Sequence, residues 1–422
     1  MSCSLPVRLV ARTTPIDDPG PLDAYLGEAT GVAWLRRGDG LVGLGEVCRL
    51  TTTDASAADT WWREFCASLD VENALPDVAG TGPLMFGSLA FDPGHTSSSS
   101  IFVVPGMIIG RRDGRSWLTR VFDPGQESGS QSNVDEAVPR PHRSHAPAPA
   151  AHLGSSTPLD RDAWRTAVAR AIDRLDATFT KVVMARAVDI QTSSPIDQQQ
   201  LVRELSATYP TCWTFCLDGL VGASPEMLVR RDHGLAMSRV LAGTIRREGA
   251  DETDHALARA LAESSKNLAE HEFSVASVAS ALARYCTAMN VPDAPSVLQL
   301  PNVLHLASDI TGVVQGDASA LDLAIALHPT AAVCGTPTDL ARATIAELEG
   351  FDRGRYAGPV GWQDAAGDGE FAIALRCGQI DQVSRQSIRL YAGCGIVDGS
   401  DPAEEYEETQ AKLIPMEQAL GL

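Results

Sequence analysis

The sequence predicts an α+β protein in which helices flank large, mostly antiparallel β-sheets. Runs rich in β-branched and aromatic residues recur along the chain, as in Gly31-Val-Ala-Trp-Leu and Ser100-Ile-Phe-Val-Val. Helical patterns cover roughly 252–289 and 337–349, and they do not alternate with the strands as in parallel βαβ proteins. The 422 residues, 44% of them hydrophobic, are enough to bury a large core.

The sequence divides into three regions. Residues 1–122 contain short strands and turns with one helix near 55–69, and we expect them to form an N-terminal α/β part of the fold. Residues 123–157 are rich in Pro, Ser and His, a composition typical of a linker or surface loop. Its histidines are irregularly spaced, which favours a solvated segment over a metal site. Residues 158–422 form the third region, in which the remaining helices and strands are predicted.

The third region opens with a helix and continues mainly as strands. Trp164, Val168, Ile172 and Leu175 recur at helical spacing, and a β-rich run begins at Lys181. Further strands are predicted over 213–220, 227–230, 237–241, 369–380 and 387–391.

The predicted strand 369–380 has two unlike faces. Alternation places Phe371, Ile373, Leu375 and Cys377 on one face and Ala372, Ala374 and Arg376 on the other. The bulky face suits a core, whereas the small face leaves room for a ligand. Arg376 could fork onto a ligand carboxylate or pair with one of the many acidic side chains.

The bulk composition excludes several classes of function. A net charge of −20 argues against nucleic acid or an anionic membrane as the main partner. The nine cysteines show no framework spacing, since Cys212 and Cys216 have no second pair beside them, and we expect free thiols. No signal peptide or membrane-spanning run is evident, so we predict a cytoplasmic protein.

The segment 391–412 holds the densest cluster of polar signals. A strand-like run over 388–391 is followed by a predicted glycine turn at 393–395, and Asp401 and Pro402 then mark a helix start. Glu405, Glu408 and Lys412 fall on one face of that helix. Glycine amides attract an anion and paired carboxylates a hard cation, which suggests a clamp for a carboxylated ligand and a divalent metal. The alternative is a solvated i,i+4 pair of Glu408 and Lys412.

Several motifs in this region occur together in a known family. They are Lys181-Val-Val-Met-Ala-Arg, Gly222-Ala-Ser-Pro-Glu-Met-Leu-Val-Arg, Leu241-Ala-Gly-Thr-Ile-Arg-Arg, Lys266-Asn-Leu-Ala-Glu-His-Glu, Leu327-His-Pro-Thr, Ile345-Ala-Glu-Leu-Glu, Tyr356-Ala-Gly-Pro-Val-Gly-Trp, Ile373-Ala-Leu-Arg-Cys and the run 391–412. With these motifs the chain resembles the chorismate-utilising enzymes, most closely the isochorismate synthases. The first 150 residues add little to the resemblance, which implies that residues 158–422 form the chorismate-binding catalytic region.

The resemblance implies a magnesium-dependent, reversible conversion of chorismate to isochorismate. It assigns Lys181 as the general base and Glu226 as the general acid. Glu270 and Glu405 would bind Mg²⁺, with Glu408 acting through water. A lysine is a base near neutral pH only if its pKa falls well below about 10.4, and a glutamic acid is a proton donor there only if its pKa rises. Without the resemblance, Lys181 would be taken for a surface lysine at a strand end.

The resemblance also implies a set of substrate contacts. Tyr356 and Arg376 would bind the enolpyruvyl carboxylate, and Lys412 with the amides of Gly393, Cys394 and Gly395 the other carboxylate. Gly243, Thr244 and His328 would line the ring pocket, although His328 could equally be a core histidine. Asn267 and Glu407 depart from residues common in relatives.

Three alternatives remain at this stage. A salicylate synthase would share the lysine, the glutamates and the magnesium but eliminate pyruvate. The large subunit of an anthranilate or aminodeoxychorismate synthase would need a glutaminase partner, and Lys181 speaks against it. A catalytically dead binding protein is opposed by the intact residue set. The favoured enzyme would act without a glutaminase, as a monomer, in menaquinone or siderophore biosynthesis.

Overall fold

The computed structural model describes residues 8–27, 31–125, 138–141, 152–247, 251–299 and 303–422. The description does not extend to the side chains of Ala242, Thr244, Arg246, Asp251, Glu252, Lys266, Asn267, Glu270 and Val303. His142 and His145 of the predicted linker also lie outside it.

The described chain forms two large sheets, with strands numbered in chain order. The larger sheet has 13 strands. In spatial order they are β10 (His152–Ser156), β11 (Lys181–Thr192), β23 (Ser387–Val397), β22 (Cys377–Ile380), β13 (Leu220–Ser224), β12 (Trp213–Leu217), β2 (Val32–Arg36), β3 (Asp39–Leu44), β8 (Met107–Arg112), β9 (Arg115–Phe122), β1 (Val10–Ile16) and β5 (Asp70–Asn73), with β19 (Gly335–Thr336) beside β11.

The smaller sheet has 10 strands among the described residues. They are β16 (Cys286–Asn290), β18 (Val303–Val314), β15 (Leu235–Arg246), β14 (Met227–Asp232), β21 (Gly369–Ile373), β20 (Pro359–Asp364), β6 (Leu84–Ser88), β7 (Ser100–Val104) and β4 (Cys48–Thr52), with β17 (Ser296–Gln299) beside β18. Apart from the parallel pair β1 and β5, the described strands pair in antiparallel fashion, and the predicted fold class is confirmed.

Eight α-helices lie among the described residues. They are α1 (Ala57–Ala67), α2 (Arg161–Ile172), α3 (Gln198–Thr208), α4 (Asp251–Glu263), α5 (Ser265–Leu282), α6 (Ala320–Leu327), α7 (Thr338–Leu348) and α8 (Pro402–Ala419), with a short 3-10 helix at Leu22–Tyr25. In the part of the chain that is described, no helix has the length and apolar character needed to cross a bilayer.

Strands from the first and last parts of the chain share both sheets. In the larger sheet β2 pairs with β12, and in the smaller sheet β6 pairs with β20. The end of the predicted linker is itself strand β10, paired with β11. The three predicted regions therefore remain divisions of the sequence, while the first 122 residues complete the sheets of the third region.

The two sheets enclose the main core. One hydrophobic cluster contains Trp34 and Val182 from the larger sheet together with Phe102 and Phe371 from the smaller sheet. A second cluster includes residues of α3 and α8, such as Val202 and Leu413, together with residues of the larger sheet. Burial of these apolar side chains provides the main driving force for the arrangement.

Two predicted elements are wrong in extent. The helix predicted over 252–289 is divided into α4 and α5, and the chain then enters β16. The break falls at Ser264, and a serine hydroxyl can compete with helical hydrogen bonds. The strand predicted over 369–380 ends at Ile373 and resumes at Cys377 in the other sheet, with Arg376 at a φ of 49° in between.

The glycine turn predicted at 393–395 is also wrong. Strand β23 continues through these glycines to Val397, and the turn falls at 398–400. The glycines permit close approach instead, because a Cβ at Gly393 would lie 3.0 Å from the hydroxyl oxygen of Tyr356.

Candidate active site

A cavity of about 310 Å³ lies where the two sheets meet α8. The larger sheet contributes β11 and β23, and the smaller sheet contributes β15 and β18. Its polar and charged lining residues are Lys181, Glu226, His305, Tyr356, Arg376, Ser400, Asp401, Glu404, Glu405, Glu408 and Lys412. The size falls within the range of small-molecule sites.

Lys181 reaches the cavity from the first residue of β11. It lies on the same strand face as Val183, which pairs with Gly395 of β23. A Cβ at Gly395 would lie 2.9 Å from Cε and 3.4 Å from Nζ of Lys181. The glycine thus leaves the space through which the lysine side chain passes.

Glu226 reaches the cavity from the crossover between β13 and β14, which passes from the larger sheet to the smaller. The side chain is buried, and its backbone N–H donates to Ser224 Oγ at 3.2 Å. Burial raises the pKa of this carboxyl from 4.5 to about 7, against the opposing effect of Lys181, Arg376 and Lys412. A carboxyl group with this pKa is partly protonated at neutral pH and can donate a proton.

Arg376 lies on the second crossover, between β21 and β22. It lines the cavity and forms no salt bridge with a carboxylate of the described residues. Tyr356 lines the same cavity and stacks on Tyr391 with ring centroids 4.8 Å apart. An uncompensated guanidinium beside a phenol favours a ligand carboxylate.

Helix α8 presents its acidic face to the cavity. The helix start predicted from Asp401 and Pro402 is confirmed, since the Asp401 carboxylate accepts from the N–H groups of Ala403 and Glu404 at 2.7 and 3.0 Å. Lys412 Nζ donates to Glu408 Oε1 at 2.5 Å and to the carbonyl oxygen of Gly393 at 2.8 Å. The i,i+4 bridge between Glu408 and Lys412 is confirmed, and both residues line the cavity. The clamp for a carboxylated ligand and a divalent metal stays a prediction.

The carboxylates of α8 fit a hard divalent cation. Burial raises the pKa of Glu405, and the neighbouring Glu408 carboxylate raises it further. Ser400 and Cys394 hydrogen-bond to the Glu405 carboxylate and oppose this shift. A cation between Glu405 and Glu408 would relieve their repulsion, and carboxylate oxygens are the ligands that Mg²⁺ prefers. The side chain of Glu270 lies outside the described residues, as does that of Thr244.

The backbone groups of Gly393, Cys394 and Gly395 differ in availability. The backbone N–H groups of Val183 and Ala185 donate hydrogen bonds on the edge of β11 that faces away from β23. Their partners on β23, Gly395 and Gly393 respectively, therefore occupy the non-hydrogen-bonded pairs of the ladder. Beyond Leu390 no described strand pairs with the outer edge of β23. The backbone N–H and C=O groups of Gly393 and Gly395 therefore do not bond to β11 and can bind other partners. Those of Cys394 form hydrogen bonds with β11.

The sequence interpretation missed one histidine and named another that lies elsewhere. His305 of β18 lines the cavity opposite a register shift at Gly243, whose φ is 78°. Burial, Arg376 and Lys412 lower the pKa of His305 to about 3. His328 is not among the described cavity-lining residues. Its Nε2 lies 2.8 Å from the carbonyl oxygen of Phe91, as expected of a core histidine.

A signal for His305 was present in the sequence. It stands between Leu304 and Leu306, both buried, so alternation turns it to the opposite face of the strand. The glycine in Leu241-Ala-Gly-Thr could have indicated the bulge that re-aims the neighbouring strand.

Comparisons with known proteins identify relatives over most of the chain. The family model described as chorismate binding enzyme matches residues 24–421. Isochorismate synthase MenF of Bacillus subtilis (strain 168) is 34% identical over 362 residues, which cover 81% of this chain and 76% of that protein. Isochorismate synthase EntC of Escherichia coli (strain K12) is 33% identical over 345 residues, covering 81% and 82%.

A solved structure has the same architecture. It is that of MenF, the menaquinone-specific isochorismate synthase from Escherichia coli, with a TM-score of 0.80 at 26% identity. The similarity covers 98% of this chain and 94% of that one.

Proposed function

The chain belongs to the chorismate-binding enzyme family, and on that premise we propose that it converts chorismate reversibly to isochorismate. The observation that carries the proposal is the meeting of Lys181 and Glu226 in one cavity, from different elements, with the pKa of Glu226 raised to about 7. This pair supplies a base and an acid to a single bound ligand.

The reaction requires one proton acceptor and one proton donor. Lys181 takes a proton from a water molecule as the water oxygen bonds to C2 of chorismate. The ring double bonds shift, the bond from C4 to its hydroxyl breaks, and Glu226 protonates the departing oxygen to give water. The atoms balance without an oxidant or reductant, and general acid–base catalysis of this kind contributes about 10²–10⁴-fold.

The two carboxylates of the substrate would have separate partners in the cavity. Arg376 and Tyr356 would bind the enolpyruvyl carboxylate. Lys412 and the free amides of Gly393 and Gly395 would lie near the ring carboxylate. Contacts at both ends would hold the ring in one orientation between base and acid, which lowers the entropic cost of reaction.

Mg²⁺ is the cofactor that the donor set suits. Glu405 would bind it, with Glu408 through water and Glu270 from α5. When bound, the ion would neutralise the ring carboxylate and the clustered glutamates. Removal of the ion would leave these acidic groups facing an anionic substrate, and we expect no turnover in that state.

Product analysis by chromatography tests the proposal. Purified protein with Mg²⁺ should convert chorismate to isochorismate, approach the same equilibrium from either side, and lose activity with a chelator. The Lys181→Ala variant should fold and bind metal but show no turnover. Salicylate and pyruvate as the main products would instead establish a salicylate synthase. The names of the relatives support menaquinone or siderophore biosynthesis as the fate of the product.

A further inference from the structure

A buried ion pair lies behind the cavity wall, outside the residues assigned to the reaction. Glu349 follows the last residue of α7 and is 1% exposed, and Arg353, in the loop that follows, is 4% exposed. Arg353 Nε donates to Glu349 Oε2 at 2.8 Å, and Nη2 donates to Oε1, so the contact is bidentate. Buried pairs of this kind carry a desolvation cost that hydrogen bonds must offset.

The pair completes an open stretch of a strand edge. On the edge away from β23, strand β11 pairs with β19 at Lys181 and Val182 and with β10 from Asp189 onward. Between these neighbours, Arg353 Nη2 donates to the carbonyl oxygen of Val183 at 2.7 Å. Glu349 Oε1 accepts from the N–H of Ala185 at 2.7 Å. The two side chains thus occupy the position of a missing strand beside the segment that follows Lys181.

The same guanidinium contacts two further parts of the cavity wall. Arg353 Nη1 donates to the carbonyl oxygen of Val333 at 2.8 Å, and Cζ lies 5.8 Å from the ring centroid of Tyr356. Val183, Val333 and Tyr356 all line the cavity. A single buried group therefore fixes the relative positions of three cavity walls that come from separate segments.

From this geometry we infer that Glu349 and Arg353 are positioning residues for the reaction. They hold β11, and with it the base Lys181, at a set distance from the Val333 and Tyr356 walls. The inference rests on the proposed function for the role of Lys181. Since a misplacement of about 1 Å can cost on the order of 10²-fold in rate, loss of the pair should lower kcat far more than it raises KM.

Two variants separate positioning from stability. Arg353→Lys keeps the charge but loses the fork that contacts Val183 and Val333 together. The double variant Glu349→Leu/Arg353→Met replaces the pair by apolar side chains, which removes two buried charges but leaves the N–H of Ala185 and the carbonyl oxygens of Val183 and Val333 without these partners. Arg231→Met is the control, because Arg231 forms an ion pair with Asp368 and neither residue lines the cavity.

The measurements are the initial rate of chorismate consumption with Mg²⁺ and the melting temperature of each variant. We expect kcat to fall about 10–100-fold in Arg353→Lys and in the double variant, with KM within about threefold, even where the double variant melts like the wild type. The control should lose melting temperature but keep kcat. Wild-type kcat in either folded variant, Arg353→Lys or the double variant, would overturn the positioning role.

The same assay distinguishes failure of the positioning role from failure of the proposed function. Consumption of chorismate without formation of isochorismate would overturn the proposed function, while the kcat ratios would still decide the positioning role. Absence of any consumption by the wild type would overturn both.

Discussion

The backbone N–H of Ile373 donates to the carbonyl oxygen of Glu226 at 3.1 Å. This bond joins the crossover that carries Glu226 to the crossover that carries Arg376. A second bond, from the N–H of Ala223 to the carbonyl oxygen of Arg376 at 3.1 Å, joins them in the opposite direction. Two backbone hydrogen bonds therefore connect the segments that carry Glu226, the proposed acid, and Arg376, the proposed partner of a substrate carboxylate.

We predict that the rate depends on protonation of Glu226. Because the acid must carry its proton, kcat/KM should fall as pH rises through about 7, the value to which burial raises the pKa of Glu226. Glu226→Gln should lower kcat by about 10²–10⁴-fold, the usual contribution of general acid catalysis. Initial rates measured from about pH 5 to about pH 9 give both the pH dependence of kcat/KM and the loss of kcat in the variant. A pH profile that remains unchanged in the glutamine variant would contradict the assignment.

The same group should affect stability in a defined pH window. Folding raises the pKa of Glu226 from 4.5 to about 7, so the folded state holds its proton more tightly than the unfolded state. The stability linked to this proton is present below about pH 4.5 and is lost as pH rises through about 7. Denaturant unfolding at several pH values should show a smaller loss over this window in Glu226→Gln than in the wild type. Equal losses would indicate that Glu226 does not titrate there.

We predict that the space at Gly395 is required for the base. Gly395→Ala places a methyl group 2.9 Å from Lys181 Cε, so the lysine must move. We expect a loss of about 10–100-fold in kcat with little change in melting temperature, since misplacement of a reacting group has effects of this size. Gly154→Ala is the matched control, because a Cβ at Gly154, also in a strand, meets no atom within 4 Å. A fully active Gly395→Ala enzyme would contradict this geometry.

Metal binding should depend on one face of α8 and not on the other. Glu405→Gln should weaken Mg²⁺ activation by about 10–100-fold, since removal of one carboxylate lowers the charge of the site. Glu407→Gln on the same helix is the control, because Glu407 lies outside the cavity lining and pairs with Arg161 at 2.6 Å. Titration of activity with Mg²⁺, and calorimetry with Mg²⁺ alone, measure the shift. Equal shifts in both variants would point to a general charge effect.

Arg376 should contribute to substrate affinity through its fork. Arg376→Lys keeps a positive charge but loses bidentate geometry, and charged hydrogen bonds contribute about 1.5–3 kcal/mol, so kcat/KM should fall about 10–100-fold. Arg389→Lys is the control, because Arg389 makes a bidentate pair with Asp189 at 2.7 and 2.8 Å outside the cavity lining. Steady-state kinetics with chorismate measure kcat/KM for both variants. An unchanged kcat/KM in Arg376→Lys would exclude the bidentate contact.

Local signals in the sequence predicted the elements more reliably than their ends. The cap at Asp401 depends on neighbouring residues alone, and helix α8 begins where the sequence indicates. The break of the strand at 374–376 depends on a change of sheet, which alternation cannot reveal because the apolar pattern continues through it. Gly393 and Gly395 predict a turn because glycine favours turns, but here Gly395 allows close approach of Lys181 and Gly393 allows close approach of Tyr356.

The sequence predicts a site residue only where a chemically suitable side chain also stands in a recognisable motif. Lys181, Glu226, Arg376 and Lys412 were named from motifs, and the structure brings them to one cavity. His305 and Arg353 were missed because their roles come from packing between distant segments. His328 stands within a named motif, yet it hydrogen-bonds to Phe91 behind the wall.

The pairing of β11 with β23 has a consequence for biosynthesis of the enzyme. Lys181 lies opposite Val397, and Lys412 on α8 completes the cavity, so the residues of the site are translated far apart in time. In a nascent chain that has produced Lys181, strand β11 lacks its partner β23 until residue 397 has been translated. Lys181, the proposed base, is therefore translated before the other side of the cavity exists, and a ribosome-bound fragment that lacks residue 412 should be catalytically silent.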